Sequence, residues 1–271
     1  MDEIPANARI GGLFAVNSLQ CTAMEWTDKA LVLHVGRFRE ADIWVRLLTR
    51  RQGVLTAFAF GGSRSRRRFC GCLDIGNSIV CRVKGTRTGA YLALQEASLL
   101  QGLRRLRTDG QRLGLAMNCL RFLEVLDVQG EEAHGAFVLA EDILRLLEED
   151  FPPLPLLALL FRLRMASDQG FAPFLHACAL CGRQTRTDEN WQFLLDRGGL
   201  ACRDCRVTGR YALELTLASL DFLRTVQDSA PFLWDASRLS PAERRQCGRV
   251  VDAFVQYHLG IAWEEGRFRR V

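Results

Sequence analysis

The sequence predicts an α+β chain of more than one domain: an N-terminal OB-type β-barrel, then a helical domain with an inserted four-cysteine ribbon. Three observations lead there. Short apolar runs punctuated by glycine fill Ala30 to about Leu100, which is the pattern of strands and turns. From about Asp109 the apolar residues recur at helical spacing instead. Between two of the predicted helices stand two Cys-x-x-Cys pairs.

The strands are expected at Ala30–Val35, Asp42–Thr49, Val54–Phe60, Asn77–Lys84 and Ala90–Ser98, rich in Val, Ile, Leu and Phe. Gly36, Gly53, Gly61, Gly62, Gly76 and Gly85 separate them. In the fourth run Ile79, Cys81 and Val83 fall on one face, and Arg82 and Lys84 on the other, so a basic edge faces outward. Five short antiparallel strands in so little chain suggest a small closed barrel of the OB type, with an SH3-like barrel as the alternative. Residues 1–27 show no clear period and are expected to be a flexible extension or an over-called start, because Met24 offers a second start.

Helices follow. Leu113, Met117, Leu120 and Leu123 mark the first, and Phe137 to Leu147 gives the second, ended by Pro152-Pro153. Leu154 to Ser167 gives the third, and Ala212 to Val226 the fourth. The last opens at Ser240-Pro241-Ala242-Glu243, a capping box with proline at the first helical position. The expected domains are therefore a barrel over 28–107, a helical domain over 108–175 and 208–271, and a ribbon over 176–207.

Cys178, Cys181, Cys202 and Cys205 carry the strongest chemical signal. Two residues between thiols let a tight turn aim both sulfurs at one point, and two such turns supply four ligands. The pattern is that of a zinc ribbon holding one structural Zn2+. Four thiolates leave no open position for water, so the metal is expected to fold the chain, not to react. Trp191 to Leu195 reads as a strand of the intervening hairpin, and Arg183, Arg203 and Arg206 stand ready to offset the thiolate charge. Cys21, Cys70, Cys72, Cys81, Cys119 and Cys247 read as small apolar fillers.

The formal charge of +5 is mild, but only Lys29 and Lys84 are lysines, so the positive charge is almost wholly arginine. Guanidinium forks suit phosphate. The densest run is Ser63-Arg64-Ser65-Arg66-Arg67-Arg68-Phe69, expected as a mobile loop on the barrel. With Arg37, Arg39, Arg46, Arg82, Lys84 and Arg87 it forms a candidate phosphate-reading surface, and Trp44 and Phe69 are candidate rings for stacking a base. Trp44 fits the core equally well. On the helical part, Arg162 and Arg164 beside the apolar run Leu154–Phe161 are candidates for seating an acidic partner tail.

Several classes are excluded or disfavoured. Neither lysine follows a glycine, so there is no phosphate-binding Gly-Lys-Ser/Thr loop. The histidines form no i,i+4 metal pair, and no Gly-x-Ser-x-Gly elbow occurs. The longest apolar stretch, Leu154–Phe161, is far shorter than the roughly 20 residues of a membrane span. The acidic start lacks the form of a signal peptide, so a cytoplasmic protein is expected.

These pieces resemble one family in order and spacing. Arg39 through Leu55, with its Glu-Ala-Asp and Leu-Leu-Thr runs, resembles the opening of the OB barrel of the bacterial recombination mediator RecO family, although that family often has Gly where Arg39 stands. Gly61 through Phe69 is similar to its basic loop. Leu120–Glu124, Phe161–Met165 and Gly170–Cys178 are similar to its later segments, and the cysteine pairs to those of its zinc-bearing members. The resemblance spans about Ala30 to Leu259. It implies a non-enzymatic protein that binds single- and double-stranded DNA and anneals complementary strands. It also implies contact with RecR and with the C-terminal tail of single-strand binding protein, and through these help in loading RecA. The fold reading also allows a zinc-ribbon adaptor that binds protein without touching DNA.

Overall fold

The computed structural model describes residues 24–86, 90–149, 154, 156–185, 190–209 and 211–271. The chain divides into two compact units. One holds the residues up to Thr108 together with Asp127–Leu144, and the other holds Asp109–Leu126 together with Arg145–Val271.

The first unit is built on five strands: β1 (Glu25–Arg37), β2 (Ile43–Thr49), β3 (Gly53–Ala59), β4 (Ser78–Gly85) and β5 (Leu92–Gln101). They close into a barrel in the order β1-β2-β3-β5-β4. All neighbours run antiparallel except β3 and β5, which pair in parallel through Ala57–Leu92 and Phe58–Ala93. This order is that of an OB barrel, as the sequence predicts. Closure works because β1 is long: its first half pairs with β4 and its second half with β2, with an irregularity between Val32 and His34 that turns it from one neighbour to the other. The strand begins at Glu25, paired with Lys84. Residues 25–27 therefore belong to the barrel and not to an extension; residues 1–23 lie outside the described residues.

Side chains of alternate positions fill the barrel: Ala30, Val32, Val45, Leu47, Ala57, Ile79, Cys81, Val83 and Leu94 are all buried in one cluster. Inward Ile79, Cys81 and Val83 with outward Arg82 and Lys84 are the alternation read from the sequence. Asp127–Leu144, expected in the helical domain, packs with the barrel instead. Val54 N–H donates to the Val128 carbonyl, Gln129 Nε2 to the Val54 carbonyl and Ser78 Oγ to Glu141 Oε1.

In the second unit α1 (Gly110–Leu126), α3 (Leu157–Asp168), α4 (Leu217–Asp228) and α5 (Pro241–Leu259) pack together, while α2 (Ala133–Glu148) lies mostly in the first. Helix α3 is buried along Leu157, Leu160, Phe161, Leu163, Met165 and Ala166, which places it at the centre. Phe122 of α1 meets Phe161 edge-on. Ser240 and Glu243 form the capping box at the start of α5. The predicted fourth helix is shorter than expected. Ala212–Leu215 is a strand, because it pairs with Trp191–Leu194, and the helix starts only after the Thr216 cap.

Candidate metal centre and nucleic-acid interface

The ribbon consists of β6 (Phe174–Cys178), β7 (Trp191–Leu194), β8 (Gly199–Ala201) and β9 (Ala212–Leu215), in the order β6-β8-β7-β9. Cys178 ends β6 and Cys202 follows β8, and these two strands are neighbours. That pairing brings the two Cys-x-x-Cys turns to one place. The Gly182 N–H bonds the Cys178 carbonyl in the first turn, and the Cys205 N–H bonds the Cys202 carbonyl in the second.

The ligand atoms of Cys178, Cys181, Cys202 and Cys205 all lie within 4.8 Å of one another. Cys181 and Cys202 sulfurs are 3.7 Å apart. A tetrahedral ion with metal–sulfur bonds of about 2.3 Å needs sulfurs about 3.8 Å apart, so the cluster can hold a metal ion. The Cys202 N–H points at Cys178 Sγ from 3.4 Å. Burial raises the pKa of Cys178, but N–H groups of Cys202, Leu180 and Cys181 lower it, and the thiol lies at about 6. Hydrogen bonding with Cys181 and Cys202 pushes Cys205 up to about 12. A cation binds such a cluster as thiolates and displaces the thiol protons. His176 lies outside this group. Arg183 pairs with Asp204 and Arg206 with Glu214, so those two guanidiniums are partly committed elsewhere.

The predicted basic residues separate into three sets. Arg46 is buried and bonds Asp127 Oδ1 at 2.6 Å and Thr56 Oγ1 at 3.3 Å, so it braces the barrel wall instead of facing solvent. Arg82 and Lys84 are exposed on the β1–β4 wall but sit against Glu25, with Glu96 also on Arg82. Arg37 ends β1 and Arg39 lies in the turn after it, Arg64 and Arg68 reach Glu40 of that turn and the Phe60 carbonyl after β3, and Arg66 and Arg67 lie between them in the chain. Arg37, Arg39, Arg66 and Arg67 are exposed and, among the described residues, have no carboxylate partner. Arg64 has only a loose contact with Glu40 at 3.7 Å. Arg87 lies outside the described residues.

The basic loop is more firmly held than the mobile loop its composition suggests. Phe69 is buried in the barrel core. Gly61 N–H donates to Asp42 Oδ1, Ser63 Oγ to the Ala41 carbonyl, and Arg68 Nη2 to the Phe60 carbonyl. The first two of these bonds tie the loop to the β1–β2 turn, and the third ties it to the chain just after β3.

Neither ring named from the sequence is open to a base. Phe69 is inside the barrel, and Trp44 is 2% exposed, stacked on His34 with ring centroids 4.8 Å apart. Trp44 pairs across β1 with Gly36, where a Cβ would stand 2.4 Å from the indole; only glycine leaves room for it. The exposed aromatics of the barrel are Phe38, Phe60 and Tyr91, which sequence reading passed over. The available signal was their position at the edges of predicted strands: Phe60 is the last residue of Val54–Phe60, Tyr91 the second of Ala90–Ser98, and Phe38 follows Ala30–Val35 by three residues.

Arg162 and Arg164 are held inside the second unit. Arg162 is buried, donates to Asp252 Oδ1 at 2.5 Å and lies over the Phe268 ring. Arg164 bonds Asp168 at 2.8 Å and the Ser229 carbonyl at 2.7 Å.

Comparison with known proteins agrees with this architecture. Residues 24–103 match the family model described as recombination protein O N terminal, and residues 107–265 match that for recombination protein O C terminal. The chain belongs to the recombination protein O family. A relative named "DNA repair protein RecO" from Nitratidesulfovibrio vulgaris (strain DP4) is 51% identical over 251 residues, 92% of this chain and 100% of its own. Proteins of the same name from Lawsonia intracellularis and Oleidesulfovibrio alaskensis are 43% and 44% identical, again over 92% of this chain and 100% of theirs. The family boundary between residues 103 and 107 falls where the barrel strands have ended and before α1 begins. No helix among the described residues is long and apolar enough to cross a membrane.

Proposed function

We propose that this protein is a DNA-binding recombination mediator of gap repair, acting in the cytoplasm on the nucleoid. It anneals complementary strands and helps load RecA onto strands coated with single-strand binding protein. The observation that carries this reading is the set of exposed arginines on an OB barrel in a chain of this family. Each strand's phosphates repel the other's, and guanidiniums between them screen that repulsion. Base pairing then drives annealing, so no nucleotide hydrolysis is needed. Arg37, Arg39, Arg64, Arg66, Arg67 and Arg68 are the proposed phosphate contacts. Arg82 and Lys84 contribute to the field of the barrel, while Arg46 acts by holding its wall.

The four cysteines would hold one Zn2+, which when bound cross-links the two turns of the ribbon. Their own contribution is to fix β6 against β8. RecR and the acidic tail of single-strand binding protein are the proposed partners. Tail docking at Arg162 and Arg164 requires tail carboxylates to compete with Asp252 and Asp168, so Arg164→Glu should weaken binding of a tail peptide.

The test is oligonucleotide binding and annealing without ATP. Affinity should fall with salt, with a log–log slope of about −0.7 per phosphate contact on a single strand. Replacing Arg64, Arg66, Arg67 and Arg68 by Ala should flatten that slope and slow annealing. Protein that binds the tail peptide, yet neither binds oligonucleotides at low salt nor speeds annealing, is an adaptor and not a mediator of this kind.

A further inference from the structure

Four aromatic rings meet where Arg39 and Arg68 reach the chain after β1 and β3. Phe58 lies on β3, between inward Ala57 and Ala59, and so points out of the barrel. Phe38 follows β1, Phe60 follows β3 and Tyr91 precedes β5. The ring centroids of Phe38 and Phe58 are 5.2 Å apart, those of Phe58 and Tyr91 5.7 Å, and those of Phe60 and Tyr91 5.9 Å. The rings touch one another in sequence, yet Phe38, Phe60 and Tyr91 remain 36%, 38% and 38% exposed. The barrel interior has its own complete core and does not use them. Three large rings left open in one cluster are a surface for something flat and apolar.

The surroundings say what that something carries. Arg39 lies over the Phe38 ring at 5.1 Å. Arg68 bonds the Phe60 carbonyl, and Arg37, Arg66 and Arg67 are exposed nearby in the chain. A flat apolar face bordered by unpaired guanidiniums matches a strand with unpaired bases: rings for the bases, forks for the phosphates. A base pair inside a duplex cannot offer its face to such a cluster, because both faces are already stacked.

We propose that Phe38, Phe58, Phe60 and Tyr91 form a stacking platform for unpaired bases of single-stranded DNA. It rests on the DNA-binding reading above and adds to it a preference for single strands. During annealing the platform holds bases splayed and unstacked until the complementary strand displaces the rings.

The experiment compares wild type with two triple variants at Phe38, Phe60 and Tyr91, one all Ala and one all Leu. The probes are a single-stranded oligothymidylate carrying 5-iodouracil and a duplex of equal length. Leu keeps the apolar cover of the barrel mouth but removes the stacking face, and thermal unfolding checks that each variant is folded. Both variants should lose single-strand affinity by on the order of ten- to a hundred-fold, with duplex affinity changed far less. Long-wavelength irradiation of the wild type should crosslink the iodouracil to Phe38, Phe60 or Tyr91. Wild type that binds the oligothymidylate without crosslinking there overturns the platform and leaves the DNA-binding reading standing. A Leu variant that binds single strands like wild type overturns it in the same way. Wild type that binds neither probe defeats the DNA-binding reading itself.

Discussion

Arg46 and Asp127 form an ion pair on the barrel wall, with side chains 6% and 29% exposed. Taking a charge out of water is tolerable only while its partner stays. Asp127 also sits at φ 59, a left-handed conformation that Asn accepts more readily than most residues. Asp127→Asn keeps shape and backbone while it removes the charge, leaving a buried guanidinium without its carboxylate. We expect a loss of about 2 kcal/mol, below the full cost of breaking a buried pair because Asp127 is partly solvated. Urea unfolding measures it, and a variant as stable as wild type would show the pair to be incidental. The pair also marks what residue types alone conceal. The two side chains are 81 positions apart, so the sequence reads Arg46 as one more surface cation. Cys178, Cys181, Cys202 and Cys205 were legible because their spacing itself encodes convergence. Trp44 was half legible: its strand face could be read, but not that His34 and Gly36 would enclose it.

At the scale of elements, the five barrel strands were readable because apolar alternation and glycine turns agree. The C-terminal hairpin, β10 (Ile261–Glu264) and β11 (Arg267–Arg270), was not, because its turn is unusual. Glu265 and Gly266 both have positive φ, 49° and 80°. A two-residue turn of that kind is signalled by Asn-Gly or Asp-Gly, and Glu hides it. Strand β9 escaped because Ala-Leu-Glu-Leu favours helix locally and becomes a strand only by pairing with β7. The ribbon's strands are only three to five residues long, and its two cysteine turns depend on the cross-link to stay together. Cys178 and Cys202 are 2% and 0% exposed. Chelation should therefore open the ribbon and make both thiols react with maleimide, while buried Cys81 in the barrel stays protected. Peptide mapping of the label reads this directly. Continued protection of Cys178 and Cys202 after complete metal removal would mean that packing, not the ion, orders the ribbon.

At the scale of the molecule, the second unit carries carboxylates that its fold holds in the charged form. Asp109, Glu214, Asp235 and Glu243 all lie in the second unit, and all have lowered pKa values. The causes are hydrogen bonds to the charged form: the Arg112 N–H for Asp109, the Arg206 guanidinium for Glu214, the Ser237 hydroxyl for Asp235 and the Ser240 N–H for Glu243. A carboxylate with a depressed folded pKa binds fewer protons folded than unfolded, so stability rises with pH through that range. The stabilisation is complete above the unfolded values of about 4 and is lost as pH falls through the folded ones. Tryptophan fluorescence should separate the units, with Trp191, Trp234 and Trp263 reporting on the second and Trp26 and Trp44 on the barrel. In single-tryptophan variants titrated below about pH 4, the second-unit signals should move as these carboxylates take up protons. Glu243→Gln and Asp109→Asn together should flatten the acid limb of the second unit and leave that of the barrel unchanged. An acid limb that persists unaltered in the double variant would place the acid-sensitive groups elsewhere.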